Sequence, residues 1–354
     1  LPNSPDPARR PRTFRVLPEY WQAAEVWMEA EGSWEPIEAV DAACVILLRD
    51  SPDGVETYLV TCPERSPFGP VAFPGGPVAA EDDDPLPWSG PPATEWGARW
   101  GDDVGSARRV AVTAIRELFE ITGVLLAGQD GHSTAETMDG RDWLAVRQQV
   151  LARQLGFKEM LERRRLALRT DLLWPIARWA TPDFLHRRYD IRYFAVILPE
   201  RQTVTELPGH PRPGAWVPLK RLAAHIRPDG AAPSRGGDAS SEREGLEPDS
   251  WLGDTIGARS TAGKPQSVLL SANVSCLIQE LAGVRSVVEA IAHPGDLGPR
   301  QPQLRRDDDG TFQLVVAPSI RHGRTRERAE AHGGWRERGR ADAGAGTTKA
   351  ARQP

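Results

Sequence analysis

"AIRELFEITG", Ala114 to Gly123, is the stretch whose reading decides the fold. Glu117 and Glu120 are three residues apart, so on a helix they share a face, and Arg116 can pair with Glu120 four residues on. With Leu118 at zero and about 100° per residue, Glu117 falls at about −100°, Glu120 at about −160° and Ile121 at about −60°. Ile121 thereby sits in the apolar stripe with Val110 and Ala114, and the two carboxylates border it. Such a pair can hold a hard cation through oxygen ligands, and taken alone it also fits an ordinary solvated face. The spacing predicts a helix from about Ser106, as N-cap, to Thr122, with Gly123 as its stop.

Upstream, "AACVILLRD" (42–50) reads as a buried strand. "SPDG" (51–54) is a turn and "VETYLVTC" (55–62) the returning strand. "VAFPGG" (71–76) is a short strand that ends in a glycine pair. Residues 83–105 lack periodicity, carry Pro, Gly and three tryptophans, and read as an inserted loop. Downstream, residues 141–170 read as helical. "LLWPIARWATP" and "RRYDIRYFAVIL" follow as two strands. "AWVPLKRLAAHI" begins as a strand and becomes a helix, residues 266–292 make two helices, and "TFQLVVAP" (311–318) is a last strand.

The order of "FPGG" (73–76), a later acid, and "RELFEITG" (116–123) resembles the Nudix box, which reads G, five residues, E, seven residues, REUxEExGU. Gly76 takes the opening glycine and Asp82 the first acid, where the family has Glu. Arg116, Glu117, Leu118, Glu120, Gly123 and Val124 match. Two departures stand out: 33 residues separate Asp82 from Arg116, and Ile121 replaces the second glutamate of the EE pair. The long spacing, with "ARWATP" (177–182) and "RRYDIRYFAVILP" (187–199), resembles the branch of the peroxisomal acyl-CoA Nudix hydrolases and their actinobacterial relatives. In that branch, Thr is usual at Ile191 and two prolines at Ser271-Ala272.

The resemblance implies an α/β fold: a Nudix α/β/α sandwich with a mixed sheet, a helical insertion and a C-terminal helical extension. It implies a hydrolase that cleaves a diphosphate linkage in a nucleoside diphosphate derivative, a CoA-like or acyl-CoA-like ester first among them, with Mg²⁺ or Mn²⁺ as cofactor. The implied catalytic residues are Glu117 and Arg116. The implied metal ligands are Glu117, Glu120, the Gly75 carbonyl and Asp82. Arg65, Phe73, Gly76 and Arg192 are the implied substrate contacts. Isoleucine has no donor atom, so Ile121 weakens the site, and the acids of "AEDDD" (80–84) are candidates to compensate. The alternative is a catalytically silent domain that binds a nucleotide or a protein.

Composition is consistent with either. The net charge of −5 and mixed signs argue against a dedicated nucleic-acid binder. The longest apolar run is far below the roughly 18 residues of a membrane span. Three scattered cysteines fit a reducing cytoplasm. The expected partner is a small nucleotide or CoA-like molecule, with a homodimer left open, no membrane and no specific nucleic acid. The expected organisation is an extension over 1–40, partly disordered, and a Nudix domain over 41–226. A low-complexity insertion follows at 227–263, then a helical extension at 264–318 and a disordered tail at 319–354.

Overall fold

In the computed structural model, the described residues are 11–30, 33–62, 69–136, 140–207, 212–226, 270–292 and 295–318. Expectations for the insertion at 227–263, for the tail at 319–354 and for Arg65 lie outside them. No helix among the described residues is long and apolar enough to cross a membrane.

The centre is strand β2 (Val40–Ser51), whose "AACVILL" is buried on both faces. It makes a hairpin with β3 (Gly54–Thr61), closed by the pairing of Ser51 with Gly54. On its other side β2 runs parallel to β10 (Tyr189–Ile197), with Val40 opposite Tyr189 and Leu48 opposite Ile197. The antiparallel neighbours β9 (Trp174–Ala180) and β11 (Gly214–Pro218) extend the sheet at either end. Two short pieces, β4 (Val71–Ala72) and β5 (Gly75–Pro77), pair with β3 and β2. The sheet is therefore mixed, as expected.

Alternation along β2 sorts side chains to two cores. Ala43, Val45 and Leu47 join the cluster under the long helix that carries the opening motif. Ala42, Cys44, Ile46 and Leu48 join the cluster under the helices Ala272–Leu281 and Val287–Ala292. Helices thus cover both faces of one sheet.

Four local readings are corrected. Residues 83–105 are not only loop. They contain α2 (Ala93–Trp100), whose Trp96 and Trp100 lie edge-on to Phe194 at 5.7 and 5.4 Å between ring centroids. Little more than two turns is too short to register as periodicity, so the two rings at i and i+4 were its main trace. The long helix, α3, spans Val104–Thr122 and is capped by Asp103, whose side chain accepts from the Ser106 amide at 2.9 Å. Ser106 instead donates its hydroxyl to Asp41. Residues 141–170 form α4 (Arg141–Leu151), α5 (Phe157–Arg164) and a short strand, β8 (Ala167–Arg169), and are not one continuous helix. Finally, the N-terminal extension is ordered over β1 (Arg12–Arg15). That strand pairs with β14 (Phe312–Val316), which bears out the expected last strand.

Candidate functional site

Helix α3 differs from the amphipathic helix expected. From Val110 to Thr122 every residue is buried, Glu117 and Glu120 included at 7% and 5% exposed. The charges are therefore inside, and each must have partners. Arg116, with no exposed surface, supplies them. Its Nε and Nη2 donate to the two oxygens of Asp82 at 2.7 and 2.9 Å. Its Nη1 donates to Oε1 of Glu117 at 2.8 Å and to Oε1 of Glu120 at 3.2 Å. Burial works against the charge on Arg116, but Asp82, Glu117 and Glu120 outweigh it and hold its pKa above the ordinary arginine value.

Asp82 also accepts from the Ala79 amide at 2.8 Å and from the Thr113 hydroxyl at 2.7 Å. Three of the four hydrogen bonds to Asp82 fall on Oδ2 and one on Oδ1. Its geometry is that of an anchor tying the loop over 80–83 to α3.

The glycine pair sits under this cluster. Strand β5 sets Gly76 opposite Ala43 and Gly75 opposite Cys44. A β-carbon on Gly76 would lie 2.5 Å from the carboxyl carbon of Glu117. Only glycine allows the carboxylate that close to the strand. The Gly75 carbonyl accepts from Arg212 at 2.8 Å, and the same guanidinium stands 3.9 Å from Oε2 of Glu117.

Glu120 has a further partner. Arg153 contacts its Oε1 at 3.3 Å and also pairs with Glu81. Four carboxylates (Glu81, Asp82, Glu117, Glu120) share three guanidiniums (Arg116, Arg153, Arg212), which leaves an excess of negative charge. Burial, reinforced by Glu117, pushes the pKa of Glu120 up to about 7 against the pull of Arg116.

The C-terminal end of α3 is fixed by Arg147, which is fully buried and has carbonyls for partners. Its Nε donates to the Glu120 carbonyl at 3.0 Å and its Nη2 to the Ile121 carbonyl at 2.6 Å. A cation suits the negative end of a helix, and burial pulls this arginine's pKa down to about 10. The Ile121 side chain itself packs in the core with the helix's apolar stripe.

Of the residues singled out from sequence, Arg116, Glu117, Glu120, Asp82, Gly75 and Gly76 meet at one place. Phe73 does not join them: it is buried in the cluster on the opposite face of the sheet, edge-on to Tyr193 at 6.1 Å. Arg192 does not either. It is 2% exposed and held by Asp41 and, at 2.6 Å, by Asp102, near the start of α3. Thirteen helical steps separate Val104 from Glu117, about 20 Å at about 1.5 Å per residue. Sequence reading missed Arg147, Arg153 and Arg212. Each reaches the site only through the tertiary fold, and none falls within the motif.

The donor set can be tested against Mg²⁺ or Mn²⁺. Among the described residues, no three His, Cys, Asp or Glu side chains stand together as a ready-made metal site. What is present is a pair of glutamates, hard oxygen donors joined through Arg116, one of them, Glu117, pressed against a glycine whose β-carbon would fill its space. That fits an ion such as Mg²⁺, which binds through one or two carboxylates and completes its shell with water and substrate phosphate oxygens.

No family model and no curated protein matches the chain. Similar solved structures include a NUDIX hydrolase from Alicyclobacillus acidocaldarius, 25% identical over 53% of this chain and 83% of that one, with a TM-score of 0.40. They also include the C. elegans Ap4A hydrolase, 15% identical over 53% of this chain and 86% of that one, with a TM-score of 0.23. These are low TM-scores, and the functional reading rests on the residues of the site.

Proposed function

We propose that the chain is a Nudix-type hydrolase that cleaves the diphosphate linkage of a nucleoside diphosphate derivative, of which a CoA-like ester is the leading candidate. The observation that carries this reading is the convergence of the box: Gly76 directly beneath Glu117, and Arg116 joining Asp82, Glu117 and Glu120 in one buried cluster.

Glu117 and Glu120 would hold the divalent ion, Mg²⁺ or Mn²⁺, with the Gly75 carbonyl beside them. When bound, that ion would neutralise phosphate charge and lower the pKa of a water. The chain's own contribution is positional. Arg116 keeps two like charges together at a fixed spacing. Asp82 orients Arg116 through two parallel hydrogen bonds. Arg147 fixes the backbone on which Glu120 stands. Glu117 is the candidate base, and its place against Gly76 leaves it little freedom to turn.

The test is product release from CoA esters, NADH, ADP-ribose and dinucleoside polyphosphates with Mg²⁺ or Mn²⁺, for the wild type, Glu117→Gln and Ile121→Glu. The expected result is turnover that EDTA abolishes and Glu117→Gln removes. Unchanged turnover in Glu117→Gln would sink the assignment.

One observation favours a second reading, a silent domain that binds a nucleotide or a protein. Ile121 is packed into the core where the box has a carboxylate. That reading expects nucleotide binding indifferent to chelation and no turnover of any diphosphate ester.

A further inference from the structure

We propose that Arg153 is the displaceable counter-ion of the site: it holds Glu120 and Glu81 until a divalent cation takes its place. This rests on the reading of Glu117 and Glu120 as divalent-cation residues.

The first observation is backbone strain. Helix α4 ends at Leu151, and Arg153 follows in the left-handed region at φ 56°. Its amide donates to the Val150 carbonyl at 3.0 Å, and Gln154 and Leu155 both donate to the carbonyl of Gln149. This is a helix terminus that favours glycine, because a β-carbon at positive φ is strained. A long charged side chain held there points to a use for the side chain.

The second observation is where that side chain goes. Its Nη1 reaches Oε1 of Glu120 at 3.3 Å and pairs with Oε1 of Glu81. Arg116 places its own Nη1 on the same Glu120 oxygen at 3.2 Å. The two guanidiniums differ in one respect. The side chain of Arg116 is fully buried, whereas that of Arg153 is 49% exposed. A buried cation with three carboxylate partners is costly to remove. A half-exposed one is screened by water and salt and can swing out cheaply. Arg153 is therefore the cation that leaves, and the one that keeps Glu120 and Glu81 from repelling each other beforehand.

The test is Mn²⁺ binding to the full chain at low ionic strength, by electron paramagnetic resonance of free Mn²⁺ and by calorimetry, so that no turnover is needed. The variants are Arg153→Gln, Arg153→Gly, Arg108→Gln and Glu117→Gln. Arg108 contacts the same acidic loop through Asp83, so its variant removes an equal charge elsewhere. The expected result is Mn²⁺ bound at least about fivefold tighter by both Arg153 variants, against less than about twofold for Arg108→Gln. Arg153→Gly should also melt higher, since glycine relieves the left-handed position. Mn²⁺ affinity in both Arg153 variants equal to that of Arg108→Gln, or weaker than wild type, overturns the proposal. If Glu117→Gln abolishes binding while the Arg153 variants leave it unchanged, only the role of Arg153 falls. If wild type binds no Mn²⁺, the reading of the carboxylates falls and this proposal falls with it.

Discussion

Gly76 has no room for a β-carbon, and the group it would strike is the carboxylate of Glu117. Gly76→Ala should therefore displace that carboxylate while leaving the fold intact. A misplacement of about 1 Å at a reacting centre costs about 100-fold in rate, so turnover should fall by about that factor with an unchanged circular dichroism spectrum. Glu120 offers a second check. Burial holds its folded pKa at about 7, above the ordinary glutamate value of 4.5. The folded state then binds more protons than the unfolded one between those values, so the carboxylate weakens the fold as pH rises through that window. Glutamine does not titrate. Without metal, Glu120→Gln should melt at the same temperature as wild type near pH 4 and higher than wild type at pH 8, and differential scanning calorimetry reads this directly. At this scale the sequence was a good guide to which residues meet, because the box is a local pattern around one helix. It did not show that Asp82 ties its loop to α3 through Thr113 and Arg116, since that depends on where the loop before it folds back.

Elements follow a different rule, because their stability comes from what covers them. Helix α3 starts at Asp103, and Asp103→Ala should cost about 1 kcal/mol of stability through loss of the cap, seen as a lower urea midpoint. The short helix α2 is held by two tryptophans over Phe194. Trp96 has no exposed surface, and truncating such a ring costs about 3–5 kcal/mol. Trp96→Ala should therefore lower the urea midpoint far more than Asp103→Ala does. The strands β2, β3, β9 and β10 were legible because β-branched and apolar residues recur there at strand spacing. Helix α2 was not, because Pro and Gly flank it and its amphipathic signal covers little more than two turns. The break between α4 and α5 was hidden for a related reason: the left-handed residue that ends α4 is an arginine, not the glycine that announces a stop.

Across the whole molecule, segments distant in sequence close the structure. Strand β1 pairs with β14 in a small sheet, and Phe14 and Val316 pack into the core on the face opposite α3. A chain starting at Val16 should melt at a lower temperature, because Phe14 loses its burial, yet keep the kcat/KM of the intact chain, since the carboxylates lie on the other face. Nothing in the sequence of 12–15 marked it as a strand, because four residues carry too little pattern and their partner lies some three hundred positions away. The central parallel pairing has a related consequence for how the protein is made. Val40 must wait for Tyr189 to be synthesised before β2 gains its inner neighbour. At about 5–20 residues per second the ribosome needs on the order of ten to thirty seconds to cover that interval. For that time the buried central strand has a hairpin on one side and an open edge on the other. Nascent-chain chaperones are the agents that would guard it, and slower, cooler expression is the condition under which the soluble yield of this protein should rise.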